Sequence, residues 1–303
     1  MKRAVSVSLG STARDKKVEI KLFGETVSIE RIGTDGDIAK ATALFTELDG
    51  KVDALGVGGI DLWVQMGERR YNISAAHKLI KNVRQTPIVD GSGLKNTLEG
   101  QVVQTLINGL GPEYKQGRVL LTVGVDRYGM TLAFLNQGYE AVFGDLMYAI
   151  GLPIAVRSFA AFKVIARLMT PIATKLPISI LYPTGDKQNE IVPKYGKWYA
   201  WATVLAGDCN YIKRHMPDDL SGKVIVTNTT TSHDMALFAE RGIKHVVTTT
   251  PQLDGRSFGT NMMEAALTAV AGKNRPLTLA ELDGMLQELN MKPTLHRLGE
   301  QYL

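Results

Sequence analysis

One combination of residues in the sequence could carry out acid–base chemistry: a carboxylate followed five positions later by a lysine. Asp90 closes a short β-rich run, two glycines follow it, and Lys95 stands where the pattern predicts the start of a helix. Such a pair can move a proton on a substrate hydroxyl, because the carboxylate and the ammonium group each keep the other ionised. The same residues also fit an aspartate that caps the helix and a lysine in solvent. Both interpretations are open from the sequence alone.

A second stretch, GVDRYG from Gly124 to Gly129, follows an apolar run and precedes residues at helical spacing. In a doubly wound sheet such a turn places backbone N–H groups and a helix N-terminus against a phosphate. Asp145 comes about 20 positions later, where an acidic residue typically binds ribose hydroxyls and favours NAD over NADP. Asp126, however, replaces the middle glycine of the usual G-x-G-x-x-G pattern. Its carboxylate could repel a pyrophosphate, be neutralised by Arg127, or indicate a ligand that is not a dinucleotide.

Ligands of open parallel sheets bind beyond the carboxyl ends of the strands, so the polar residues after each predicted strand are further candidates. Those predicted to bind the cofactor, besides the glycine turn and Asp145, are Gly207, Thr227 and Thr249. Those predicted to bind the substrate are Ser92, Asn96, Arg256 and Asn261. The turns Thr184–Lys187 and Asp254–Ser257 could also hold a carboxylate or phosphate, and plain β-turns explain them as often.

Other reactive side chains carry less functional signal. Cys209 is the only cysteine, which excludes an intramolecular disulfide and a multi-cysteine zinc site and fits a reducing cytosol. His77, His215, His245 and His296 show no metal-ligand spacing, so we expect no catalytic metal, and His233 is interpreted as a neighbour of a helix-start cap. Tyr211–His215 is a local basic cluster with an aromatic residue, whereas nucleic-acid binders usually show a broader basic stripe. We therefore interpret it as a solvated face.

Composition limits the possible partners. The net charge of +5 comes from Lys and Arg spread along the chain, which suits small anionic substrates and gives little support to nucleic acid. The apolar run 146–182 is interrupted by Arg157, Lys163, Arg167 and Lys175, so it predicts no membrane span. Arg157–Met169 fits a basic amphipathic helix that could lie on a membrane surface, but we expect it to pack against the sheet or a second subunit. With no signal-peptide core at the N-terminus, these features predict a cytoplasmic homo-oligomer, at its simplest a dimer.

The elements that position these residues follow from hydrophobic periodicity. A first strand at 4–9, a hairpin around Phe23-Gly24-Glu25, a helix at 38–48, a strand at 52–56, a second hairpin within 62–73 and a helix at 74–83 precede Asp90. A long helix from Leu94 to about Leu110 then ends at Gly111-Pro112, the best candidate for a domain boundary. Six strands follow, at 119–123, near 140, and at 178–182, 203–206, 224–226 and 245–249.

The predicted fold class is therefore α/β with two α/β domains, the C-terminal one a doubly wound, Rossmann-like parallel sheet. We predict an N-terminal substrate domain with its linker helix over 1–112 and a nucleotide-binding domain over 113–255. Helices over 256–303, at 261–271 and 279–289 with Thr278 as a cap, are expected to pack back on the rest.

The order of Asp90, glycine, any residue, glycine and leucine, then a linker helix, a strand and a glycine-marked turn is similar to that of the shikimate and quinate dehydrogenase family. The stretches GTDGD, DGSGLKNTLE and VTTTPQLDGRSFGTN also resemble a bacterial group that carries a quinate 5-dehydrogenase label. The resemblance covers roughly residues 86–145. It implies that Asp90 works beside a lysine on the substrate alcohol while a nicotinamide takes the hydride. The family's lysine precedes the aspartate, yet here no lysine lies between Gly56 and Lys78, so the partner is unassigned and Lys95 is a candidate.

Three functions compete on these grounds. The first is an NAD(P)-dependent oxidoreductase, with NAD favoured, that acts on a hydroxylated, quinate-like or shikimate-like carboxylic acid and uses Asp90 as proton donor or acceptor. The second is a Rossmann-like transferase or lyase whose ligand is not a dinucleotide, for example an adenosyl donor. In this case the carboxylates of Asp126 and Asp145 accept hydrogen bonds from the ribose hydroxyls. The third is a ligand sensor or scaffold without turnover.

Overall fold

The computed structural model describes residues 1–67, 69–176, 191–253 and 256–299. These residues form two compact units. Unit 1 comprises Met1–Thr97, Pro251–Met291 and a segment that begins at Thr170, and unit 2 comprises Leu98–Met169, a segment that ends at Thr250, and the chain from Lys292 onward. The strand predicted at 178–182 and the turn predicted at Thr184–Lys187 lie outside the described residues.

The first part of the chain alternates strands with short helices. The strands are β1 (Lys2–Ser8), β2 (Lys16–Leu22), β3 (Glu25–Gly33), β4 (Ala54–Gly58), β5 (Trp63–Met66), β6 (Arg69–Asn72) and β7 (Ile88–Val89). The helices are α1 (Ile38–Leu48), α2 (Ser74–Leu79), α3 (Ser92–Glu99) and α4 (Val102–Leu110). The single linker helix predicted over 94–110 is thus two helices, which a turn at Gly100 and Gln101 separates. Glycine is an unfavourable residue inside a helix because it loses the most backbone freedom there.

The second part begins with β8 (Arg118–Leu121), α5 (Tyr128–Asn136), β9 (Glu140–Phe143), α6 (Asp145–Tyr148) and α7 (Phe159–Ala173). It continues with α8 (Gly196–Trp201), β10 (Val204–Ala206), α9 (Cys209–His215), β11 (Val224–Thr227), α10 (Ser232–Glu240) and β12 (His245–Thr248). The last elements are β13 (Gln252–Leu253), β14 (Arg256–Ser257), α11 (Thr260–Ala271), α12 (Leu279–Glu288) and β15 (Thr294–Arg297).

Unit 1 contains a five-stranded sheet of order β2-β3-β1-β4-β7. β3, β1, β4 and β7 run parallel, and β2 pairs antiparallel with β3 in the predicted hairpin. Phe23 and Gly24 in the hairpin turn both have positive φ angles, 51° and 82°, as a two-residue turn that matches the strand twist requires. The carboxyl ends of β1, β4 and β7 therefore meet at one edge, which Asp90 follows directly.

Unit 2 contains a six-stranded sheet of order β15-β12-β11-β10-β8-β9. All neighbours are parallel except β15, which pairs antiparallel with β12. Together with unit 1 this confirms the predicted class of two α/β domains, the second doubly wound. The strand order reverses between β8 and β10, because β9 and β10 lie on opposite sides of β8. In doubly wound sheets this switch point is where a ligand binds.

Both faces of the unit 2 sheet are buried, as is usual for parallel strands. Val119 and Leu121 point into one apolar cluster with Phe134, and Leu120 points into the opposite cluster with Tyr199. Polar groups that could meet a ligand are therefore concentrated beyond the strand ends.

The division of the chain differs from the predicted boundaries at 112 and 255. The second unit already begins at Leu98, and Pro251–Met291 belongs to unit 1. There, α11 packs on β1, β3 and β4. Its buried residues include Met263, Ala266 and Leu267, so the helix needs a sheet face to cover it. Local periodicity predicts such a helix but does not show which sheet it covers.

Candidate functional site

Asp90 lies just beyond β7 at the carboxyl edge of the unit 1 sheet. Its Oδ1 accepts the N–H of Ser92 at 2.9 Å, and its Oδ2 accepts the N–H of Leu62 at 2.6 Å. The side chain is buried. Asp90 thus joins two loops and holds the first N–H of α3, which agrees with the capping interpretation. Its remaining lone pairs are the ones that a substrate hydroxyl would use.

A second carboxyl group, that of Glu264 on α11, also accepts hydrogen bonds from N–H groups in the first turn of α3. Its Oε2 accepts the N–H of Leu94 at 2.9 Å, and the carboxyl also accepts the N–H of Gly93. Burial, and then the neighbouring charge of Asp90, raise the pKa of Glu264 to about 8 although these bonds oppose the shift. Sequence reasoning missed Glu264, although an acidic residue inside the apolar stretch Met262–Ala269 was a usable signal.

Lys95 lies on the same helix, where its Nζ is 3.6 Å from Oδ2 of Asp61. Both side chains are largely shielded from solvent. Asp61 follows β4, so it shares the carboxyl edge with Asp90. The structure therefore places an ammonium group and carboxylates at one edge, with Lys95 paired to Asp61, and the acid–base role of Asp90 and Lys95 stays a prediction.

The predicted substrate residues of unit 1 surround this edge. Ser92 is buried and Asn96 is half-buried on α3, while the side-chain amide of Asn261 donates to Ser6 Oγ at 2.6 Å. Gly91, with a φ of +91°, allows the close approach of α11, since a Cβ there would lie 2.5 Å from the Asn261 nitrogen. The structure does not describe the turn residues Asp254 and Gly255 or the side chain of Arg256, so the substrate-binding role predicted for Arg256 stays a prediction.

In unit 2 the predicted phosphate turn is occupied by a side chain of the protein itself. Asp145 Oδ2 accepts the N–H of Gly124 at 3.1 Å, and its Oδ1 accepts the N–H of Val125 at 2.9 Å. Burial raises the pKa of Asp145 to about 6 in spite of these bonds. The amides that a pyrophosphate would need thus already have an acceptor in this conformation.

Arg127 lies beside this turn and is bound by three carboxylates. Its Nη1 lies 3.0 Å from Glu99 Oε1, its Nη2 3.1 Å from Asp208 Oδ2, and its Nε 3.1 Å from Asp126 Oδ2. Burial alone would lower the pKa of Arg127, but the three carboxylates outweigh it and raise the pKa, so the guanidinium stays charged. Arg127 therefore compensates part of the Asp126 charge, and the choice among the three alternatives from the sequence stays a prediction.

Glu99 was not predicted, although it has a central position. Its side chain is fully buried, and its second oxygen accepts the N–H of Met130 in the first turn of α5 at 3.3 Å. Gly129 lies in the same turn. Carboxylates therefore hold both parts of the predicted anion site, the turn after β8 and the start of α5.

The remaining cofactor candidates lie at the same carboxyl edge. Thr227 Oγ1 donates to the carbonyl of Gly207 at 2.8 Å, and the N–H of Thr249 donates to the carbonyl of Thr227 at 3.0 Å. The amide of Asn228 donates to Asp208 at 2.7 Å. The edge thus presents hydroxyl, amide and carboxylate groups, and the Arg127 cation there is already surrounded by carboxylates.

Two alternative chemistries find no support in the described part of the chain. No group of three or more His, Cys, Asp or Glu side chains there could hold a metal ion. Burial raises the pKa of the Cys209 thiol to about 12, so this thiol is not a reactive nucleophile near neutral pH.

Within the described ranges, no helix is both long enough and apolar enough to span a bilayer.

Comparison with solved structures gives low similarity throughout. The chain is similar to a protein from Mycobacterium smegmatis (13% identity, 95% of this chain and 94% of that chain, TM-score 0.33). It is also similar to a malic enzyme from Entamoeba histolytica (10% identity, 84% and 52%, TM-score 0.36) and to a periplasmic ribose ABC transporter from Conexibacter woesei (9% identity, 94% and 94%, TM-score 0.37). Likeness at this level supports no inference about function.

No functionally curated protein matches the sequence significantly. Two family models do match: a domain of unknown function (DUF8753) over residues 3–90 and a domain of unknown function (DUF8754) over residues 93–298. Since the second model covers more than half of the 303 residues, the chain belongs to the family described as domain of unknown function (DUF8754).

Proposed function

We propose that this chain is an enzyme whose unit 2 binds a ribose-bearing ligand other than a dinucleotide, such as an adenosyl donor, for a transferase or lyase reaction. The observation that carries the proposal is the Asp145 carboxylate on the N–H groups of Gly124 and Val125. A pyrophosphate at this turn would have to displace that carboxylate, since two anions at one site repel each other.

The carboxylates at the switch point supply what a hydroxylated ligand needs. Asp126 and Asp208 flank the region between β8 and β10, and their side chains are 36% and 19% exposed. Arg127 holds both and compensates part of their charge. A hydrogen bond to a charged acceptor contributes about 1.5–3 kcal/mol, so vicinal ribose hydroxyls between these oxygens would be held firmly without a phosphate contact.

Isothermal titration calorimetry with S-adenosylmethionine, adenosine and NADH tests this proposal. We expect the adenosyl compounds to bind, and Asp126→Asn to weaken them about 10-fold to 100-fold, which corresponds to one charged hydrogen bond. Asp218→Asn is a matched control, because Asp218 is a surface carboxylate paired with Arg241. NADH that binds as tightly as the adenosyl compounds would contradict the proposal.

A second candidate is NAD(P)-dependent oxidation of a hydroxylated carboxylic acid, quinate-like or shikimate-like. The position of Asp90, Lys95 and Asp61 at one carboxyl edge of unit 1 favours it. This reaction requires the Gly124 and Val125 amides to exchange Asp145 for a phosphate. Asp126→Gly distinguishes the candidates: NADH affinity rises under the second, whereas adenosyl binding is lost under the first. Asp90→Asn then abolishes turnover only if unit 1 carries the acid–base step.

A further inference from the structure

One surface of unit 2 exposes several large apolar side chains close together along the chain. On α7, Phe162 and Ala166 are buried, whereas Val164 and Leu168 are 55% and 67% exposed. Val164 and Leu168 are four residues apart, so they lie on one side of the helix, away from Phe162. The helix therefore has an apolar side toward the core, as predicted, and a second apolar side that no described residue covers.

A neighbouring segment extends this surface. Ile150, Leu152 and Ile154 precede α7 and are each about half exposed. Their segment ends at Val156, which exchanges backbone hydrogen bonds with Phe143 of β9, and the ring of Phe143 stacks on Phe162 of α7 at 4.4 Å. Both exposed segments are thus attached to the same edge strand. We call these five residues, Ile150, Leu152, Ile154, Val164 and Leu168, the apolar surface of α7.

The stretch of sequence that contains this surface carries cations and no acidic residue. Between Asp145 and Asp186 the sequence contains no acidic residue but four cations. Three of them, Arg157, Lys163 and Arg167, precede or flank the exposed side of α7. Lys163 lies over the Phe159 ring at 4.7 Å, and Arg157 donates a hydrogen bond to Glu140 of β9. The surface therefore combines exposed apolar side chains with cationic flanks.

We propose that the apolar surface of α7 docks on an anionic lipid surface. An interfacial helix inserts its apolar side chains below the headgroups while lysine and arginine at its flanks contact the phosphates. The alternative partner for the apolar surface of α7 is a second copy of the chain. In such a contact each copy would contribute the same cations, Arg157, Lys163 and Arg167, and like charges at an interface repel. Charge complementarity therefore favours the lipid.

Co-sedimentation of the full chain with vesicles tests the proposal, with vesicles of phosphatidylcholine alone compared with equal parts of phosphatidylglycerol and phosphatidylcholine. We expect binding only to the anionic vesicles, and its loss at high salt. Leu168→Ser should weaken binding about tenfold, because a large exposed apolar side chain is removed. Arg167→Gln should weaken it about fivefold, the contribution of one cation at such a surface.

Ile38→Ser provides the matched control, since Ile38 is 49% exposed but lies on α1 next to Asp37. This variant should bind like the wild type, and circular dichroism of each variant checks that it is folded. Equal binding to neutral vesicles, or full binding by both Leu168→Ser and Arg167→Gln, would overturn the proposal. So would sedimentation velocity that shows a wild-type dimer which Leu168→Ser converts to monomer, because the surface would then be a contact between copies.

Discussion

Replacement of Glu264 by glutamine should remove a large part of the pH dependence of stability above about pH 5. The pKa of Glu264 is about 8 in the folded protein, against an ordinary value of 4.5. At neutral pH the folded chain therefore holds a proton that the unfolded chain has lost, so the free energy of unfolding falls as pH rises between these two values. At about 1.4 kcal/mol per pKa unit, the full window corresponds to about 5 kcal/mol.

Urea unfolding at a series of pH values across this window measures the effect. The difference in free energy of unfolding between wild type and Glu264→Gln isolates Glu264, because titration of Asp145 and the histidines is common to both proteins. Glu47→Gln, at an exposed position of α1, serves as the control and should leave the wild-type slope unchanged. If the free energies of wild type and Glu264→Gln stay parallel from about pH 5 to about pH 9, Glu264 is ionised in the folded chain and the reasoning fails.

Three further predictions concern Arg127, Gly91 and Asp145. Arg127→Met should destabilise the chain by about 3–5 kcal/mol, because it removes the guanidinium that compensates the buried Glu99 carboxylate. Arg127→Met with Glu99→Leu should recover most of this loss in chemical unfolding. Gly91→Ala should lower the free energy of unfolding by at least about 1–3 kcal/mol because of the positive φ alone, and steric overlap with Asn261 adds to this loss. Gly284→Ala inside α12 should raise the free energy of unfolding by up to about 1 kcal/mol. Thermal unfolding compares the two variants. Asp145→Asn should free the Gly124 and Val125 amides from a competing charge and raise affinity for inorganic phosphate in calorimetry, and an unchanged affinity would show that the turn does not bind anions.

Sequence reasoning located the groups at the strand ends but not the partners that hold them. Asp90 and Asp145 follow β7 and β9 as the alternation of strands and helices predicted. The role proposed for Asp145 in ribose binding remains a prediction, since the structure shows this carboxylate on the turn amides. Glu99 and Glu264 were overlooked, because one lies in a predicted linker helix and the other far along the chain, and nothing local relates either to the N–H groups it accepts.

Turns and helix caps follow from the amino-acid sequence alone, because their residue preferences depend on near neighbours. The Phe23-Gly24 hairpin and the capping box of Thr278 and Glu281 are examples, and both form where the sequence predicts a turn and a helix start. Three features depend on tertiary packing instead: β9 and β10 lie on opposite sides of β8, α11 joins unit 1, and carboxylates accept the N–H groups of both predicted sites. Those outcomes depend on which apolar faces cover each other and which distant oxygens then reach unpaired N–H groups, and periodicity along the chain carries no information about that.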